Sequence, residues 1–176
     1  MKAARLALFG IALCAATASF AQLSTEPPAE LKKLDYLIGS WTGEGDFAVS
    51  GLELKVKVET TTSWDGQFIK QVSKMDFGMM VTTETMYIGW DPKKSEYTAY
   101  AFTNSAPTPR IERGKLGEDG KLVMTSDPWE IMGQAVASRA TSWKKSDSEA
   151  GFILEMKMGE EWTKASEVTM KRKITW

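Results

Sequence analysis

Any chemistry this chain performs must run without imidazole and, beyond its first residues, without thiol. The 176 residues contain no histidine and one cysteine, Cys14. That excludes His-based nucleophile triads, His or Cys zinc sites, His- or Cys-ligated haem and redox dithiols. No P-loop, dinucleotide fingerprint, G-x-S-x-G elbow or zinc motif occurs, so no cofactor and no metal is expected. Carboxylates, amines, guanidinium groups, hydroxyls, indoles and thioethers remain. Glu84, Arg113 and Arg139 each stand inside an alternating, strand-like stretch among apolar neighbours. There a charge either points inward, to fix a ligand's polar head or pair with another buried charge, or points outward into water. Arg139 suits a carboxylate head, because a guanidinium grips it through two parallel hydrogen bonds. Glu84 as base with Tyr100 as acid would give a cofactor-free isomerase, cyclase or lyase.

The elements that position these groups begin after a leader. Lys2 and Arg5 precede the apolar run Leu6 to Ala16, and the small-residue stretch that follows ends in Ser19-Phe20-Ala21. This is the layout of a signal peptide over residues 1–21, with cleavage expected before Gln22 and the mature chain in the periplasm or outside the cell. Leu13 directly before Cys14 argues against lipidation there. No later run approaches the length of a membrane-spanning helix. The remaining charges are mixed and weakly acidic, so neither nucleic acid nor an anionic membrane is an expected partner. Protein partners are not legible. Export permits disulfides, yet this chain has no cysteine beyond the leader, and its fold must be held by burial alone.

Residues 22–29 read as a flexible, proline-bearing leader. Leu31, Leu34 and Leu37/Ile38 then recur at helical spacing, predicting a short helix over residues 30–38 with Gly39 just past its end. After Gly39 the period becomes two. Leu52 to Glu59 alternates apolar and charged without a fault, which puts four apolar side chains on one face of a strand. Further strands are predicted at 40–50, 67–77, 80–90, 95–103, 110–117, 121–126, 135–144, 151–158 and 162–174. They are separated by turn signals such as Asp65-Gly66, Asp91-Pro92 and Asp119-Gly120. Residues 126–133 read as a loop that carries Trp129, Ile131 and Met132: a lid over the barrel mouth, a contact surface for a partner, or a segment folded back on the barrel. About ten strands with short connections predict antiparallel neighbours. Closure into an all-β up-and-down barrel over residues 30–176 hides their edges and leaves room for one small ligand.

Met80, Thr82, Glu84, Met86, Ile88 and Trp90 share one strand face, and Ile69, Gln71, Ser73, Met75 and Phe77 share another. A dry core rarely tolerates Glu, Gln and Ser among apolar neighbours, whereas a partly wet chamber does. The methionines, ten in all, suit an adaptable lining.

The run Leu37-Ile38-Gly39-Ser40-Trp41-Thr42-Gly43-Glu44-Gly45 resembles the opening of lipocalin-like, calycin-type barrels. The wider pattern is similar to a bacterial family known as domain of unknown function 1579. It comprises Glu30-Leu31-Lys32-Lys33-Leu34, Trp64-Asp65-Gly66, Tyr87-Ile88-Gly89-Trp90-Asp91, Gly114, Asp119-Gly120 and Met170-Lys171-Arg172-Lys173. The resemblance implies a lipocalin-like or fatty-acid-binding-like barrel and brings no activity. It also implies that Trp41 plugs the closed end beneath a basic side chain of the last strand, here Arg172. The same opening resembles nitrobindin-type haem barrels, which hold iron through a histidine that this chain lacks.

The function expected from these observations is binding of a small apolar or amphipathic molecule inside the barrel. Trp41 and the helix would close one end, with Glu84, Met86, Trp90, Tyr100 and Arg139 lining the interior. The alternatives are the cofactor-free enzyme on the same scaffold and an envelope protein with a filled core.

Overall fold

A computed structural model describes residues 26–49, 51–131 and 134–174; the predicted signal peptide lies outside them. The chain opens with one helical turn, α1 (Ala29–Lys32), followed by a 3-10 turn at Asp35–Leu37. The expected two-turn helix over 30–38 is therefore two shorter pieces. No side chain caps the start of α1, which follows Pro28. The backbone tightens at once to i→i+3 bonds, Leu34 N to Leu31 O at 2.9 Å and Leu37 N to Leu34 O at 2.9 Å. That geometry still buries Leu31 and Leu34 completely, each contributing about 1.5–3 kcal/mol by removal from water.

Eleven strands follow: β1 (Gly39–Val49), β2 (Leu52–Asp65), β3 (Phe68–Asp76), β4 (Val81–Asp91), β5 (Glu96–Thr103), β6 (Arg110–Leu116), β7 (Lys121–Ser126), β8 (Trp129–Ile131), β9 (Gln134–Lys144), β10 (Glu149–Met158) and β11 (Glu161–Arg172). Every pairing is antiparallel. Ten of the strands close on themselves, because β1 pairs with β11, β11 with β10, and β10 with β9. The predicted ten-strand barrel is the observed architecture.

The eleventh strand, β8, replaces the loop expected at 126–133. Both β7 and β8 pair with β9, β7 through Lys121–Thr125 and β8 through Trp129–Ile131. β8 thus continues the line of β7 after a break at Asp127-Pro128, where the proline nitrogen has no hydrogen to donate to a ladder.

All the connections lie at one end or the other, and the helical turns cover the end where β1 starts. There Leu31 and Leu34 join Ile69, Ile88, Tyr97, Ala99, Leu122 and Met124 in the main core. A second, smaller cluster of Val136, Met156 and Ala165, with Phe47, Val49 and Leu154 against it, sits at the opposite end. Gly114 is required where β6 crosses β7. A Cβ there would overlap the Val123 carbonyl, so only hydrogen lets the two backbones approach.

Candidate functional site

The inward faces follow from the buried residues of each strand. Ile69 puts Gln71, Ser73 and Met75 inside on β3, and Ile88 puts Met86, Glu84 and Thr82 inside on β4. The two mixed faces read from the sequence are these inward faces. Met80 falls outside the pattern, exposed in the β3–β4 hairpin.

A polar belt runs around part of the interior. The Thr60 and Ser73 hydroxyls are 3.0 Å apart, and Gln71 donates to the Thr62 hydroxyl at 3.3 Å. Ser126 and Ser138, both buried, share a hydrogen bond of 3.1 Å, and the Ser138 backbone N–H donates to the Ser126 hydroxyl at 2.8 Å. On β10 and β11 the inward residues are mainly apolar: Phe152, Leu154, Met156, Val168 and Met170. The barrel wall is therefore amphipathic.

Between the serine pair and Ser73 lies a charged triad. Arg110 Nη1 is 2.9 Å from Glu84 Oε2, and Arg110 Nε donates to Glu112 Oε1 at 2.6 Å. The side chains are 12%, 12% and 5% exposed for Arg110, Glu84 and Glu112. Burial alone would lower the Arg110 pKa, but the two carboxylates outweigh it and hold the guanidinium firmly protonated. The other face of Arg110 lies 5.0 Å from the Trp129 ring centre. The Trp129 indole nitrogen is buried without a hydrogen-bond partner.

Of the residues expected to line the interior, Glu84 and Met86 face inward, Glu84 paired with Arg110 and Met86 packed against the main core. Trp41 and Trp90 face inward at the helix-covered end and are packed. Trp41 is 5% exposed, donates from its indole nitrogen to the Leu37 carbonyl at 2.8 Å, and lies under Arg172 at 4.2 Å. Trp90 meets Tyr97 edge-on at 5.0 Å. Both also line open grooves. One, of about 280 Å3, lies beside Trp41, Ser73, Glu59 and Lys173; the other, of about 210 Å3, lies beside Trp90, Tyr97 and Glu30.

Tyr100 and Arg139 are corrections. Tyr100 is 49% exposed between two fully buried alanines, Ala99 and Ala101, so it points outward. Arg139 sits between inward Ser138 and Ala140, and on the outer face it grips Glu155 with two hydrogen bonds of 2.7 Å. Its guanidinium also stacks 4.6 Å from Trp162. It holds a protein carboxylate, and none is left for a ligand. Arg113 is likewise outside, bonded to Asp127 at 2.7 and 2.8 Å.

Arg110 and Glu112 were not among the expected site residues. Their signal was available: with Gly114 and Leu116 they form one alternating face of β6, opposite to Ile111, Arg113 and Lys115. Among the described residues no group of acidic side chains could hold a metal ion, and no helix is long and apolar enough to cross a membrane.

The family model described as "Protein of unknown function (DUF1579)" matches residues 26–172, and the chain belongs to that family. No curated protein matches it in sequence. Among solved structures, Rv2717c from M. tuberculosis is similar at TM-score 0.66 and 15% identity, over 85% of this chain and 100% of that one. The S-type phycobiliprotein lyase CPES from Guillardia theta is similar at TM-score 0.58 and 11% identity, again over 85% and 100%. At these identities the likeness is one of fold.

Proposed function

We propose that this DUF1579 barrel binds a small amphipathic molecule in its interior, and that it does so outside the cytoplasm after loss of residues 1–21. The observation that carries the reading is the incomplete burial of inward side chains. Gln71, Ser73 and Met75 face the barrel interior yet stay only partly buried. Were the barrel packed solid, those side chains would be covered, since protein interiors pack to crystal density. Polar groups on one wall and apolar side chains on the other suit a molecule with a head and a tail.

The test is native mass spectrometry of protein purified from its own host, followed by titration of the emptied protein with a neutral long-chain alcohol. A retained small molecule, or a saturable change in tryptophan emission, supports the reading. If neither appears, a filled-core envelope protein is the reading to keep. The enzyme with Glu84 as base and Tyr100 as acid loses support, since Tyr100 is on the outer face and Glu84 is ion-paired with Arg110.

A further inference from the structure

We infer that the chamber selects a cationic, amine-type head, that it disfavours carboxylate heads, and that Glu84, Arg110 and Glu112 are the selecting group. The inference rests on the interior-binding reading and specifies the ligand it would take.

The first argument is charge. Two carboxylates share one guanidinium in a place where the three side chains are 12% exposed or less. One negative charge is left over. Among the described residues no other Lys or Arg lies within ion-pair distance of Glu84 or Glu112. A charge removed from water is costly unless something of opposite sign meets it. Arg110 cannot supply more, because it is already divided between the two.

The second argument is unused bonding capacity. Glu84 binds Arg110 through Oε2 and Glu112 through Oε1. Each keeps a second oxygen that makes no ion pair, and carboxylate oxygens accept only, so what they can take is donors. A protonated amine brings several donors and a full positive charge. A carboxylate brings neither and would meet two like charges.

Phe152 on β10 and Met170 on β11, inward and only partly buried, offer a wall for a tail.

The experiment compares three probes of equal chain length, dodecylamine, dodecanol and dodecanoate, by tryptophan fluorescence and calorimetry on the emptied mature protein at neutral pH. Dodecylamine should bind about tenfold or more tighter than dodecanoate, with dodecanol between. Glu112→Gln and Glu84→Gln should each bring amine and alcohol to within about threefold of one another while moving the alcohol little. Equal affinity for amine and acid, or an amine preference unchanged in both variants, overturns the inference. If a variant fails to fold by circular dichroism, the wild-type ratio of amine to acid decides alone. Saturable dodecanol binding without head preference sinks only this inference, whereas failure of all three probes sinks the interior-binding reading as well.

Discussion

The Arg172 guanidinium lies 4.2 Å from the centre of the Trp41 ring, and the same group donates to the carbonyls of Ile38 at 2.6 Å and Tyr36 at 3.2 Å. Its Nε donates to the Asp147 carbonyl at 3.0 Å. One side chain of the last strand thus holds the turn before β1, the β9–β10 connection and the plug of the barrel. Gly39 makes this possible. Its φ is +129°, and a Cβ there would run into the Arg172 guanidinium.

Removing the plug should be severe. Trp41→Ala is expected to lower the unfolding free energy by about 3–5 kcal/mol, the range for emptying a buried aromatic site. Arg172→Lys keeps the charge but loses the planar fork, and should cost about 1–3 kcal/mol. Denaturant unfolding measures both. A Trp41→Ala loss below about 1 kcal/mol would mean the indole is not a plug.

Gly114→Ala should destabilise by more than about 2 kcal/mol, because the new methyl group has backbone in its way and no flexible side chain to displace. Thermal unfolding checks it. A melting point equal to wild type would show that β6 and β7 are farther apart than described.

Alkaline pH should loosen the covered end. The Tyr97 hydroxyl donates to the Glu30 carbonyl at 2.9 Å. Its pKa is pushed up to about 12 from 10.0, mainly by burial, with Glu30 and Tyr36 adding to it. The unfolded state releases this proton first, so the folded state holds more protons between those two values. Tyr97 therefore contributes its full stability below pH 10.0 and loses it as pH rises toward about 12. In Tyr97→Phe the alkaline decline should be shallower, after a loss of about 1 kcal/mol at neutral pH from the missing hydrogen bond. An unchanged decline would place the titrating group elsewhere.

The Arg139–Glu155 pair lies on the outer face, and Arg139→Gln should leave the affinity for an acid-headed probe within about twofold of wild type. Hydrogen bonding to Arg139 lowers the Glu155 pKa against the opposing effect of burial. That contribution is present above the ordinary carboxylate range and lost as pH falls through it. At neutral pH the substitution should cost under about 1 kcal/mol, as half-exposed pairs do. A tenfold fall in acid-probe affinity would return Arg139 to the site.

Export predicts a mature chain that starts at Gln22. N-terminal sequencing of protein from the periplasmic or secreted fraction should find it there. Cytoplasmic protein that retains Met1 would overturn the proposed localisation.

The antiparallel order, most strand ends and the inward faces of β3 and β4 were legible from a period of two broken by turn residues, whereas β8 was not. In those strands the inward face is marked by large apolar side chains, Ile69 and Ile88. In β5 the usual marker is inverted. The inward residues after Tyr97 are the small Ala99 and Ala101, both fully buried, while Tyr100 and Phe102 face out at 49% and 52% exposure. In β9 the inward residues Ser138 and Ala140 are small too, and the large Arg139 and Trp143 lie outside. Choosing the face by side-chain size therefore reverses both strands.

By itself, then, the sequence determined a barrel and the identity of its plug. Those depend on local alternation, on turns and on one Gly-x-Trp motif, each of which acts over a few residues. Which charges meet inside was decided only by the tertiary structure. Glu84 on β4 and Arg110 on β6 are brought together across β5 by two independent registers, Glu84 against Thr103 and Ala101 against Arg110. A shift of one residue in either would turn one strand's inward set outward and send one charge into water. No spacing along the chain encodes that coincidence, because it arises from pairing across three strands and from small alanines between them that leave room for the charged side chains.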